Sequence, residues 1–398
     1  MTDDTAGASH PQPAASRHTV AFLPWFAIDG DSQVGNCWLL RYERGHLPAG
    51  KGTADQERID FATKAFLESE EPIGAATILR VDDGSPTREL NEEERNKVFQ
   101  ITEMLTTAAL AGREYFQGAS SYCNRDAFRL VMLSVPEKPT SGWTVTSRRR
   151  DGRSRNMYSA AIPEHRPPHV VHCRTASIDG ELFEALTKLR SEKPDLWDRV
   201  RDAITSFNDA NTDSDRITKG QEVVLTFGAL QRLLDVDHKT DELAAEIATF
   251  AKPNADEQLP ADLAKSWPRS TVREAWIRDL SITRDAFAHG KTSPGSKRSW
   301  DVNEHLLFGA AIFPLLLKRV LAREGLYAMK HWDERDIDLF ERRVLARPFK
   351  VPAHDDETEP DWPWLRVRRE ALWSEVRRNA ARALDQASDL GKSADANS

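Results

Sequence analysis

Hydrophobic and polar positions change their rhythm once along this chain, and the change divides it in two. From residue 18 to about residue 187, short apolar runs of strand length alternate with amphipathic stretches. "TVAFLPWFAI", "NCWLLRYE", "AATILRV", "FRLVMLSV", "GWTVTS", "NMYSAAI" and "HVVHC" read as strands. "QERIDFATKAFLESE" and "NEEERNKVFQITEMLTTAALAGREYF" read as helices, the second with its acids at the N-terminal end, where the helix dipole favours them. An α+β domain is expected over 18–187.

Beyond "LRSEKPDLWD" the strand signals fade and apolar residues recur three and four apart. A helix starting near Lys219 opens with Thr218 and Gln221 at capping-box spacing and sets Val223, Phe227, Leu230 and Leu234 on one stripe. Another starts at Thr271 and Glu274, again a capping box, and turns Val272, Trp276 and Leu280 inward. A third runs from about Trp300 to Leu326; its first half is apolar on nearly every side, as in a bundle's central helix or a subunit interface. An all-α helical bundle is therefore expected over 188–348. Residues 1–17 have the composition of a disordered tail, 349–362 belong to a Pro-rich acidic linker, and 363–398 form a basic helix with a polar tail. There are no internal repeats.

Composition narrows the picture. A chain of 398 residues, 39% hydrophobic, can bury two or three cores at about 150 residues per domain. The longest apolar run, Leu306 to Leu317, is shorter than the roughly 20 residues of a membrane span and contains Pro314, so a buried helix is expected. The N-terminus is polar and acidic where a signal peptide is basic and then apolar, which points to the cytoplasm. Cys37, Cys123 and Cys173 are odd in number and far apart, fitting reduced thiols better than disulfides or a zinc pair. A net charge of −8 argues against coating nucleic acid through bulk charge, so any such contact must rest on local basic patches.

One such place is "ITRDAFAHGKTSPGSKR", residues 282–298. Arg284, Asp285 and His289 fall on the last turns of the helix that starts near Thr271, with Gly290 where a left-handed cap belongs. Asp285 and His289 are four apart, the spacing at which a carboxylate can orient an imidazole. A cation to hold a phosphate beside a titrating group suits RNA cleavage by the ribose's own 2′-hydroxyl, which needs proton transfer and stabilisation of a negative phosphorane but no metal.

Arg284-Asp285-Ala286-Phe287-Ala288-His289-Gly290, an arginine and a histidine ending a bundle helix, resembles the R-x4-6-H motif of HEPN-domain ribonucleases. "EVVLTFGALQRLL" resembles an early helix of their defence-associated members, and the resemblance extends over about 190–348. It implies an all-α HEPN-like fold and a homodimer or higher homo-oligomer that joins two motifs in one composite cleft. It also implies metal-independent RNA cleavage without a cofactor, and a setting in toxin, abortive-infection or antiviral systems. On this basis Arg284 holds the scissile phosphate, His289 transfers protons or positions the 2′-hydroxyl, and Asp285 orients His289.

Other constellations are less specific. "GKTS" at 290–293 resembles the end of a Walker A loop, but the first glycine of that pattern would fall at Asp285 and a helix precedes it. Lys291, Lys297 and Arg298 suit steering a phosphate backbone toward His289, or a plain solvated loop. "SRRRDGRSR" is expected to be a hairpin turning at Asp151-Gly152; Arg148, Arg149, Arg150 and Arg153 at its tip fit RNA contact or a charged edge that resists aggregation. His165, His169, His172 and Cys173 make at most a partial metal site, since on a strand His169 and Cys173 share a face that His172 does not. The arginines of the C-terminal helix alternate with Leu365, Leu372 and Val376, which fits docking through an apolar stripe as well as RNA contact. The N-terminal half matches no module, and a sensing or regulatory role with its own trigger or partner is expected there. A non-catalytic bundle, acting as a dimerisation or nucleic-acid-binding scaffold, is the alternative to an enzyme.

Overall fold

A computed structural model describes residues 17–46, 53–81, 87–111, 124–136, 143–148, 154–159, 163–170, 178–237, 239–290 and 298–345. The chain forms two units, Met1–Val98 with Leu130–Arg166, and Phe99–Arg129 with Pro167–Ser398. A sheet-rich N-terminal region thus precedes a helical C-terminal one.

In chain order the strands are β1 (Arg17–Leu23), β2 (Ser32–Val34), β3 (Cys37–Glu43), β4 (Phe66–Glu68), β5 (Glu71–Pro72), β6 (Ala75–Val81), β7 (Val131–Pro136), β8 (Trp143–Arg148), β9 (Ser154–Ser159) and β10 (Glu164–His165). Seven of them make one antiparallel sheet in the order β2-β3-β6-β1-β7-β8-β9; β10, β4 and β5 make a small second sheet. β1 sits centrally, and its unbroken Val20-Ala21-Phe22-Leu23 is buried throughout, the pattern of a strand covered on both faces. Helix α1 (Thr53–Thr63) packs beside β1 and β7. It is fixed by the Tyr42 hydroxyl, which donates to the Asp60 carboxylate at 2.5 Å. Burial first, then that hydrogen bond, pushes the Tyr42 phenol up to about 12.

Two sequence expectations change in this unit and at its edge. "QERIDFATKAFLESE" is not one helix: α1 ends at Thr63, and Phe66–Glu68 is β4, paired Glu68↔Glu71 with β5. Ser69 and Glu70 both have positive φ, 51° and 70°, the geometry of a tight hairpin turn. Non-glycine residues made that turn invisible in the sequence. "HVVHC" does not open as a strand, because the Val170 N–H donates to the Pro167 carbonyl at 2.9 Å and closes a turn there. His172 and Cys173 lie outside the described residues.

Helix α2 (Glu92–Ala111) enters the second unit at Phe99, and α3 (Gly180–Glu192) through α11 (Phe340–Leu345) follow. The change in composition near residue 188 falls inside α3. A 3-10 turn spans Arg125–Phe128. The main helices are α4 (Pro194–Asp209), α5 (Lys219–Leu234), α6 (Thr240–Phe250), the short α7 (Ala261–Ser266), α8 (Val272–Ala288), α9 (Val302–Arg323) and α10 (His331–Asp338). Capping boxes at Thr218/Gln221 and Thr271/Glu274 start α5 and α8 as their spacing predicts, and Asp301/Glu304 starts α9 in the same way.

α5 packs against α4, α8 and α9. Its stripe Val223, Phe227, Leu230 and Leu234 is buried, as are Val272, Trp276 and Leu280 of α8. Close approach of α5 and α9 depends on Gly309: a Cβ there would lie 2.3 Å from the Thr226 methyl. Phe207 stacks on Phe313 at 4.2 Å, and Trp276, Phe308 and Phe340 meet edge to face. α9 has the length and apolar composition of a membrane span, yet it is mostly buried inside its own unit. From Phe308 to Leu317 only Ala310 is not fully buried, and Leu306 and Leu307 are half-buried. The run forms a central helix of its unit, with most of its surface buried there.

A buried ionic group completes the packing. The Lys318 ammonium lies 2.8 Å from Asp333 and 2.7 Å from Asp179, the N-cap of α3, while the Tyr327 hydroxyl donates to Asp333 at 3.1 Å. Three helices are joined at a point where each charge has a partner.

Candidate functional site

The end of α8 is built by a capping box at one terminus and a left-handed glycine at the other. Gly290 has φ +75°, and its N–H donates to the Phe287 carbonyl at 3.0 Å. His289 is the C-cap, and its own N–H donates to the Asp285 carbonyl at 3.0 Å. The imidazole is exposed and forms no side-chain hydrogen bond among the described residues.

Arg284 is held more tightly. Its guanidinium carbon lies 4.5 Å above the ring of Phe227, a fully buried residue of α5, and its Nη1 lies 2.8 Å from Asp285 Oδ1. Nε is buried with no acceptor among the described residues, while 22% of the side chain stays accessible. The cation is fixed in direction and still reachable from solvent.

Asp285 therefore does not do what its spacing from His289 promised. Its carboxylate pairs with Arg284, the adjacent cation, while the cap residue it was expected to face has left helical geometry, at φ −92° and ψ 17°. Spacing of four aligns side chains only while both residues remain helical.

Beside this helix end lies an open cleft of about 840 Å³ between the first turns of α5, the last turn of α8 and the start of α9. Its walls are mainly apolar, with Ile217, Val224 and Leu225 on one side and Phe287 and Val302 on others. Ala288 and Gly290, the neighbours of His289, both line it. Gly220 lets the Phe287 ring lie against the α5 backbone, since a Cβ there would come within 2.6 Å of the ring. Lys219 Nζ lies 2.7 Å from Asn303 Oδ1, linking the first turns of α5 and α9 at the cleft. Sequence reasoning missed Phe227, Gly220 and Lys219 as neighbours of the motif. Only the glycine in the first turn of α5 gave a local sign of close approach.

Lys291 and Lys297 lie outside the described residues. Arg298 precedes α9, and burial holds its guanidinium below its ordinary range against the opposing pull of Asp279 and Asp301. Arg148 ends β8, paired with Ser154 of β9, as a hairpin requires. Arg149, Arg150, Arg153 and the turn itself lie outside the described residues. His169 bonds through Nε2 to Asp126 at 3.0 Å, and Asp126 also accepts from the Thr212 hydroxyl at 2.5 Å. His165 lies 3.9 Å from Glu70. Among the described residues no group of three or more His, Cys, Asp or Glu side chains could hold a metal ion.

Glu222, in the first turn of α5, is buried near Asp213. Burial, reinforced by the charge of Asp213 and opposed by Lys219, pushes its carboxyl up to about 7. Comparison with known proteins finds no matching family model, no matching curated protein and no matching solved structure.

Proposed function

We propose that this protein is a metal-independent endoribonuclease that acts through Arg284 and His289. The observation that supports it best is the end of α8, whose last turns carry a guanidinium braced on Phe227 and an exposed imidazole, with Ala288 and Gly290 on either side of His289 lining an open cleft. The ribose 2′-oxygen attacks the adjacent phosphorus as its proton passes to an imidazole. The P–O5′ bond then breaks, leaving a cyclic phosphate and a 5′-hydroxyl that takes up a proton. Arg284 neutralises the phosphorane, and Asp285, by its pairing, holds the guanidinium rather than the imidazole.

One chain offers one such imidazole at this place, and two copies facing each other supply the second proton-transfer group. Ile282, 53% exposed, lies three residues before Asp285 on the same side of α8, an apolar contact for such a homodimer. Lys291, Lys297, Arg298 and the arginines Arg148, Arg149, Arg150 and Arg153 are the proposed backbone contacts for RNA. The resemblance of the motif to HEPN ribonucleases supports a cytoplasmic toxin or effector of antiphage defence that halts growth, with the N-terminal unit receiving the trigger.

A non-catalytic scaffold is favoured by one observation: Arg284 already has Asp285 and Phe227 as partners, and His289 has no orienting hydrogen bond. Cleavage of single-stranded RNA by the full chain in EDTA separates the two. His289→Ala should cost ~10²-fold or more in rate, the scale of a lost proton-transfer group, and Arg284→Ala a comparable amount. A folded variant of either kind that cuts at the wild-type rate contradicts the enzyme.

A further inference from the structure

The cleft between α5, α8 and α9 has no part in the phosphate chemistry assigned to Arg284 and His289, yet Ala288 and Gly290, the neighbours of His289, line it. We propose that it is a nucleobase subsite, receiving one unstacked base of single-stranded RNA next to the cleaved linkage. This inference rests on the ribonuclease function proposed above.

Three features support that occupant over another. The walls join an aromatic ring, Phe287, to the branched aliphatics Ile217, Val224, Leu225 and Val302, all half-buried, a combination that accepts a flat apolar face of any base. A volume of about 840 Å³ exceeds what one base needs, within the range of small-molecule sites, and leaves room for its ribose. The one charged side chain in the lining is a cation, which matches the phosphate that a base is attached to. Lys219 contributes to the lining, at the N-terminal end of the 16-residue helix α5. An apolar side chain from a second copy would find no use for this cation.

The placement has a mechanistic consequence. A base seated in the cleft would draw its nucleotide out of the stack and rotate the 2′-oxygen toward in-line attack, a positioning effect distinct from proton transfer.

The test uses the full chain in EDTA with a single-stranded RNA heptamer and its set of single abasic replacements, read by fluorescence anisotropy and by cleavage. One position should matter, its loss weakening binding by roughly 5- to 150-fold, the equivalent of about 1–3 kcal/mol per stacked base. Val224→Glu, which puts a carboxylate into the cleft, should erase that position's advantage and leave the others unchanged. Val302→Ser, a smaller change on another wall, serves if the first variant melts early. Equal tolerance of abasic replacement everywhere, or position dependence that survives both variants, overturns the subsite, including the case in which a second copy fills the cleft. Cleavage with uniform abasic tolerance would leave the ribonuclease standing without the subsite. Base-dependent binding through the cleft without cleavage would sink the ribonuclease and leave a base-binding cleft, and failure to bind any RNA would sink both.

Discussion

At the scale of single residues, the site is controlled by which partner each charge finds. Arg284 is pinned between Asp285 and Phe227, so its direction is set before any phosphate arrives. Glu222 shows the opposite case, a buried carboxyl whose neighbour Asp213 is also acidic. Its folded pKa of about 7 stands above its unfolded value, so folding takes up a proton between those two values. The stability linked to Glu222 is fully present below about pH 4.3, its unfolded pKa, and is lost as pH rises through 7. Glu222→Gln should therefore melt like the parent near pH 4 and be more stable at pH 8, by on the order of 2 kcal/mol. The buried His305, whose pKa burial lowers, acts in the reverse sense below about pH 6.5, so the difference between variant and parent is the quantity to read. A thermal-melt series in which that difference does not grow from pH 4 to 8 contradicts the assignment.

At the scale of elements, α5 and α9 approach closely because Gly309 has no side chain where the Thr226 methyl sits. Gly309→Ala should destabilise the helical unit by roughly 1–3 kcal/mol through overpacking, since a β-branched neighbour has no free rotation with which to yield. Thr226→Ser removes that methyl, and the double variant should recover most of the loss; a strictly additive double-mutant cycle would show that the two residues do not meet. Helix starts were the most legible part of the chain, because a capping box states its geometry within four residues: Thr218/Gln221 and Thr271/Glu274 both form. The β4–β5 hairpin was illegible because Ser69 and Glu70 adopt left-handed geometry without glycine or asparagine. The neighbours of the motif were illegible for another reason. Phe227 and Gly220 reach Arg284 and Phe287 through tertiary packing across more than fifty residues of sequence, which no local pattern encodes.

At the scale of the whole molecule, α9 buries most of its apolar surface inside the helical unit, and the large apolar side chain left exposed on α8 is Ile282. Ile282→Glu should convert a micromolar dimer to a monomer in sedimentation while leaving the melting temperature within a few degrees, since an exposed position contributes little to the core. A parent protein that is monomeric at that concentration, or a variant that stays dimeric, contradicts the composite cleft. The central claim is that the substrate's own 2′-hydroxyl is the nucleophile. It is tested most directly by giving the full chain, in EDTA, an RNA with a single 2′-deoxy sugar at the mapped cut site and analysing the ends of the unmodified product. The expected result is a cyclic phosphate on the unmodified product and no cut at the deoxy linkage. Equal cleavage of the two substrates, or activity that disappears with the chelator, would contradict it.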